Sequence, residues 1–243
     1  MARVLRLERC VAPLLAPVLE ATGHRRLIDL CSGGGGPVGP VRAELDRMGQ
    51  PVDVVLTDLY PNLPAFREAS SLAPAVISFE AGPIDATAVP RPLSGVRTMF
   101  NAFHHFEPRR AVAVLRDAVD AGQPIGIFEL PERSLRLLLP LLLTPVFVWV
   151  ATPFIRPFWW RRLLWTYPIP LVPFTCLWDG LVSSLRAYKV PELEGLAADA
   201  GGSYEWRCGR IPVPSARSPT GLTYLIGIPR GAHSSHAIED ESP

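Results

Sequence analysis

Four consecutive glycines, Gly33 to Gly36, follow Asp29-Leu30-Cys31-Ser32 at the end of a short apolar run. Glycine accepts positive φ and lets a backbone approach a ligand closely, and a helix opening after such a loop offers free N–H groups. Four glycines weaken a chain that has no use for them, so the stretch reads as a ligand loop rather than a plain turn. Gly34, Gly36 and Gly39 satisfy G-x-G-x-x-G, and Asp58 stands at about the separation of a ribose-binding acid, which suits a nicotinamide dinucleotide. Further along come Asp85, the His104-His105 pair, Glu129, and Asp179 within Trp178-Asp179-Gly180. An imidazole titrates near neutrality, so His104 is the first candidate for a general base, with Glu129 and Asp179 behind it. Each of the three could equally position a ligand or support the structure, and the histidine pair could be one buried and one exposed residue.

Elements placed in alternation would bring these residues together. A leading helix is predicted within Val4 to Thr22, then a strand at Arg26 to Leu30. Pro37 suits a first helical turn, and Val41 to Met48 continues that helix to Gly49. Strands are predicted at Val52 to Leu56, Val76 to Phe79, Val96 to Phe100 and Ile125 to Phe128, the first of these rich in valine. Pro108 opens a helix with an apolar face of Ala111, Val114, Leu115 and Ala118. Pro191 opens another (Leu193, Leu196, Ala197), and Tyr204 to Cys208 and Leu222 to Ile228 read as two late strands. Strands alternating with helices predict an α/β fold with a mostly parallel sheet, whose ligand end lies beyond the carboxyl ends of the strands. The order of the strands is left open.

Taken in sequence, these strand ends resemble the motifs of class I S-adenosylmethionine-dependent methyltransferases of the small-molecule type. Asp29 matches the acid of the first motif and Gly33 and Gly35 its later glycines, while Cys31 stands where the family has its first glycine. Leu56-Thr57-Asp58 matches the acid that holds the ribose hydroxyls. Ile84-Asp85-Ala86-Thr87-Ala88-Val89-Pro90 resembles the D-A-x-x-L-P segment, whose acid contacts the adenine amine. Asn101-Ala102-Phe103-His104-His105-Phe106 resembles an ending in H-H-F. The resemblance covers about Arg26 to Leu130, and less clearly Pro191 to Pro229. It implies a Rossmann-like methyltransferase fold with a seven-stranded sheet and S-adenosyl-L-methionine as cofactor. It also implies a cofactor site of Asp29, Cys31, Gly33, Gly35, Asp58, Leu59, Asp85, Ala86 and Asn101, with His104 beside the methyl group. The activity implied is methyl transfer to a small acceptor. Two other classes stay open: an NAD(P)-dependent oxidoreductase, which would need a pair such as Y-x-x-x-K that the sequence lacks, and a non-catalytic, membrane-associated binder of the same cofactor.

Composition narrows the partners. A net charge of +1 over 243 residues gives no basic field to gather nucleic acid. Cys10, Cys31, Cys176 and Cys208 are scattered, with no C-x-x-C pair and no histidine at ligand spacing, so neither a metal site nor a disulfide framework is expected, and the setting reads as cytoplasmic. Arg3, Arg6, Glu8 and Arg9 with Pro13 and Pro17 interrupt the N-terminus, so no signal peptide is expected. The chain reads as one domain carrying a hydrophobic insertion after the fifth strand, at 131–188, and a disordered tail at 231–243. The mean hydropathy of +0.20 owes most to that insertion. Leu137 to Ile155 is uncharged for 19 residues and Leu163 to Trp178 for 16, but Pro140, Pro145, Pro153, Pro168, Pro170 and Pro173 interrupt them. Broken helices forming a lid over an apolar acceptor are therefore expected rather than two spans. Trp159-Trp160-Arg161-Arg162 adds the aromatic and basic character of a contact with the inner face of a membrane. The oligomeric state is left open.

Overall fold

Short, mainly apolar segments are stable as strands where both faces are covered, and they form the centre of the sheet. The computed structural model describes residues 6–131, 133, 141–155, 158–213 and 221–231. Strands β1 (Arg26–Leu30), β2 (Asp53–Leu56), β3 (Ile77–Phe79), β4 (Val96–Phe100) and β5 (Ile125–Glu129) run parallel. Two longer strands, β6 (Tyr204–Pro212) and β7 (Gly221–Pro229), close the sheet in the order β3-β2-β1-β4-β5-β7-β6, with β7 antiparallel to both neighbours. The antiparallel β7 between β5 and β6 sets this sheet apart from the 3-2-1-4-5-6 order of dinucleotide-binding folds. The chain order reverses between β1 and β4, which is where an open α/β sheet leaves its ligand crevice.

Helices cover the sheet. The first is α1 (Glu8–Thr22), which buries Val11, Leu15, Val18 and Leu19 despite Pro13 and Pro17 inside it, and ends on Gly23 in the left-handed conformation. Then come α2 (Val38–Arg47), α3 (Leu63–Leu72) and α4 (Pro108–Asp120). The four residues expected on the apolar face of α4 are all buried. Helix α3 escaped the sequence reading because it buries only Phe66, so it carries no apolar stripe; its signals are local, an Asn62 cap accepting the Ala65 N–H at 3.3 Å and Pro64 in the first turn. Arg97 lies fully buried in the middle of β4, paired with Asp117 of α4 at 2.5 Å.

Residues up to Leu130, with those from Val190 onward, form one compact unit, and Pro131–Lys189 form a second. The second unit contains α5 (Thr144–Ala151), a 3-10 turn at Thr152–Phe154, α6 (Trp160–Leu164) and α7 (Leu171–Arg186), with α5 packed on α7. Gly180 permits close packing there, because a Cβ at that position would lie 2.6 Å from Leu141 Cδ1. No helix among the described residues is long and apolar enough to cross a membrane. Helix α8 (Val190–Ala200) returns the chain to the first unit and buries Leu193, Leu196, Ala197 and Ala200. Residues 137–140 of the first uncharged run and 232–243 of the tail lie outside the described residues.

Candidate functional site

Polar residues stand at or just beyond the carboxyl ends of the parallel strands: Ser32 after β1, Asp58 after β2, Glu80 after β3, Asn101 after β4 and Glu129 closing β5. The loop after β1 hangs on Asp29, which is 2% exposed. Its carboxylate accepts the Ser32 hydroxyl at 2.7 Å and the Thr98 hydroxyl at 2.8 Å, while the Ser32 amide donates to the Thr57 carbonyl. Burial pushes the Asp29 carboxyl up to about 7, against the two hydroxyl donors. Gly33 and Gly35 take φ of +55° and +88°, which the loop needs in order to turn back from the strand. Cys31 takes +56°, a conformation that costs an L side chain roughly 1–2 kcal/mol and explains why the related motif has glycine at that point.

Asp58, just beyond β2, closes the loop from the other side. Its two oxygens accept the Gly33 N–H at 2.8 Å and the Tyr60 N–H at 2.9 Å. Asp85 accepts both the amide and the hydroxyl of Thr87, at 2.9 and 2.8 Å, and these bonds hold its carboxyl below the usual range, with Arg110 at 3.4 Å adding to the effect. These strand ends surround a cavity of about 570 Å³. Cys31, Asp58, Leu59, Asp85 and Ala86 line it, all five expected from the sequence. Burial, and then the charges of Asp58, Asp29 and Asp85, push the Cys31 thiol up to about 12, so it is a neutral wall rather than a nucleophile.

The other expected residues have different places. Gly33 meets the site through its N–H on Asp58, and Gly35 lines a second cavity, of about 450 Å³, beside α2 and α3. Asn101, at φ +51°, turns its Oδ1 to the Leu130 N–H and so pins β4 to β5. His104 and Glu129 are brought together, 3% and 4% exposed. Glu129 Oε1 accepts the Phe103 N–H at 2.8 Å, and Oε2 pairs with His104 Nδ1. A carboxylate on Nδ1 assigns the proton to that nitrogen and leaves Nε2 as the acceptor; Nε2 is buried without a hydrogen-bond partner. The His104 ring lies 4.2 Å from that of His105, which is exposed and lines the cavity. Asp179 belongs to the second unit, on an exposed position of α7.

Sequence reasoning missed Tyr60, Glu107 and Arg110 among the lining residues. Ala102, His105 and Phe106 stood in a quoted motif without a role. Arg110 lies 5.7 Å over the Phe106 ring, yet in the sequence it is one more arginine in the first turn of a helix. Among the described residues no cluster of three metal-ligating side chains exists.

Comparison with solved structures places this architecture. The S-adenosylmethionine-dependent methyltransferase SibL, in its apo form, is similar over 91% of this chain and 57% of its own, with 17% identity and a TM-score of 0.52. An O-methyltransferase family protein from Burkholderia thailandensis is similar over 93% and 57%, with 18% identity and a TM-score of 0.50. The mitomycin 7-O-methyltransferase MmcR is similar over 88% and 52%, with 14% identity and a TM-score of 0.50. The chain has the fold of the class I S-adenosylmethionine-dependent methyltransferases. It spans little more than half the length of these structures. No protein-family pattern and no curated protein matches the sequence.

Proposed function

We propose that this chain transfers a methyl group from S-adenosylmethionine to a small, apolar acceptor. The observation that carries the reading is one cavity at the switch point of the sheet with the carboxylates of Asp58 and Asp85 on its wall. An adenosine offers hydroxyl donors and an amino donor, and two carboxylates accept them. Its volume falls within the roughly 300–1,000 Å³ of small-ligand pockets. Leu59, Ala86 and Phe106 supply apolar walls for a base. Bound there, the cofactor supplies a sulfonium methyl for in-line displacement by a lone pair of the acceptor. In this reading Asp58 orients the ribose and Asp85 the adenine amine, while Asp29 keeps the loop in shape from beneath. His104 takes a proton at Nε2 where the acceptor has one to lose, and Glu129 fixes the imidazole and its tautomer. The apolar acceptor rests on the composition of the inserted segment alone.

The nicotinamide reading is disfavoured by the antiparallel β7. Calorimetry of the full chain with S-adenosylmethionine and with NADH tests the cofactor. Asp58→Ala removes acceptor bonds of a charged group, each worth about 1.5–3 kcal/mol, so affinity for S-adenosylmethionine drops by roughly ten- to a hundredfold. Unchanged affinity in that variant, or tight NADH binding by the wild type, overturns the assignment. Turnover with a panel of acceptors separates an enzyme from a non-catalytic binder.

A further inference from the structure

The Pro131–Lys189 unit presents an apolar surface that its own fold leaves uncovered. Of the large apolar side chains exposed among the described residues, all but Met48, Tyr60 and Leu72 lie between Leu142 and Leu185. On α7, Leu171, Phe174, Trp178 and Leu185 follow the three- and four-residue spacing of one helical face, and Trp178 is 69% exposed. Helix α5 and the turn after it add Phe147 and Phe154, 78% and 81% exposed. Scattered exposed apolar residues need no explanation, but a contiguous set of this kind marks an interaction surface.

The polar groups of the unit indicate which medium covers it. Thr152 Oγ1 donates to the Val148 carbonyl at 2.7 Å, Thr166 Oγ1 to that of Arg162 at 2.7 Å, and Thr175 Oγ1 to that of Leu171. The Trp149 indole donates to the Thr166 carbonyl at 2.8 Å, and the Tyr167 hydroxyl to the Trp149 carbonyl at 2.7 Å. Thr175 and Tyr167 are exposed, yet their hydroxyls turn back to the backbone. In water this gains little over solvation, whereas at the edge of hydrocarbon every donor needs an internal acceptor.

Charge and length complete the description. Between Leu137 and Leu185 the only ionisable acid is Asp179, against Arg156, Arg161 and Arg162. Arg161 lies 5.9 Å over the Trp160 ring, next to exposed Phe158 and Trp159, in the aromatic and basic pairing of a bilayer interface. Adjacent arginines suit a phosphate-rich surface and disfavour a second copy of the same positive patch. At 1.5 Å per residue, the 16 residues of α7 reach roughly 24 Å, short of the ~30 Å of a hydrocarbon core, so this helix is too short to cross one.

We propose that the Pro131–Lys189 unit docks on an anionic lipid bilayer, its aromatic side chains at the headgroup–acyl boundary and Arg161 and Arg162 among the phosphates. The proposal stands whether or not the chain transfers methyl groups. Flotation of the full chain with phosphatidylglycerol-containing and with pure phosphatidylcholine vesicles tests it. The protein rises with the anionic vesicles, more weakly with the neutral ones, and less as salt is raised. Each arginine near an anionic surface is worth about a factor of five, so Arg161→Gln with Arg162→Gln lowers partitioning by about twenty-five-fold. A second readout needs no variant. Five of the six tryptophans (Trp149, Trp159, Trp160, Trp165 and Trp178) lie in this unit, so brominated lipids in the anionic vesicles quench most of the fluorescence. A protein that stays in the soluble fraction with both vesicles, unquenched, overturns the proposal. So does sedimentation showing a concentration-dependent dimer together with no vesicle binding, which assigns the surface to a second copy.

Discussion

Replacing Asp29 by asparagine should change how stability depends on pH, and the size of the change follows from the geometry of the loop. Burial raises the Asp29 carboxyl from its ordinary value of 3.8 to about 7 in the folded chain. Between these values the folded protein keeps a proton that the unfolded chain releases. The slope of unfolding free energy with pH follows protons bound unfolded minus protons bound folded, which is negative here, so this group makes stability fall as pH rises. Its contribution is fully present below pH ~4 and is lost as pH passes through ~7. A difference of about three units at about 1.4 kcal/mol each gives a loss of about 4 kcal/mol across the interval. The substituted amide is neutral throughout; its oxygen accepts the Thr98 hydroxyl and its nitrogen donates to Ser32 Oγ, so the loop keeps both links. Urea unfolding of wild type and Asp29→Asn, run in parallel from pH 4.5 to 8.5 with both midpoints and m-values, isolates the effect, because every other group titrates alike in the two. The variant should be equal to the wild type or weaker at the acid end and clearly more stable at the alkaline end. Two curves that stay parallel over the whole range refute the reasoning: they would mean that Asp29 ionises without cost among Ser32, Thr98 and Asp58.

Three further changes have defined outcomes. Cys31→Gly removes a side chain from a φ of +56° and should stabilise the chain by about 1 kcal/mol, read as a rise in Tm of roughly 2–4 °C by calorimetry. Asp117→Ala leaves Arg97 buried without its partner and should cost about 3–5 kcal/mol in urea unfolding, most of it recovered when Arg97→Met is added. Under the proposed function, His104→Ala should lower single-turnover methyl transfer by roughly 10²–10⁴ while S-adenosylmethionine affinity changes little; unchanged turnover would make the residue packing.

The strands were legible because a parallel sheet covered on both faces favours short, mainly apolar segments, and β1 and β4 fall on the residues expected. Even Arg97 did not hide β4, since Val96, Met99 and Phe100 carry the pattern and its charge is met by Asp117. The edge of the sheet was harder to read. β6 runs on through Gly209–Pro212, half-exposed and exposed residues whose strand conformation comes from pairing with Gly221–Tyr224 rather than from their own apolar pattern. Strand order was not legible at all, because it depends on contacts between segments far apart in the chain. That order is what disfavours the dinucleotide reading, which the glycine spacing had left open.

The site divides along the same line. Asp58, Leu59, Asp85 and Ala86 could be anticipated because their positions follow from the backbone: the first two stand just past β2, the other two in the loop that follows β3, and all parallel strands end at one edge. Asp29 lies inside β1, one residue before its end, and its carboxylate turns down to Thr98, so it supports the loop rather than lining the cavity. The histidine pair shows what position along the chain does not fix. Nothing local separates His104 from His105; the choice is made by Glu129, 25 residues on. The parallel register Phe100↔Phe128 sets Glu129 beside the end of β4, where its carboxylate meets the Phe103 amide and the imidazole of His104 together. A carboxylate 4% exposed needs both partners, so the turn that supplies them buries His104 and leaves His105 at the cavity wall.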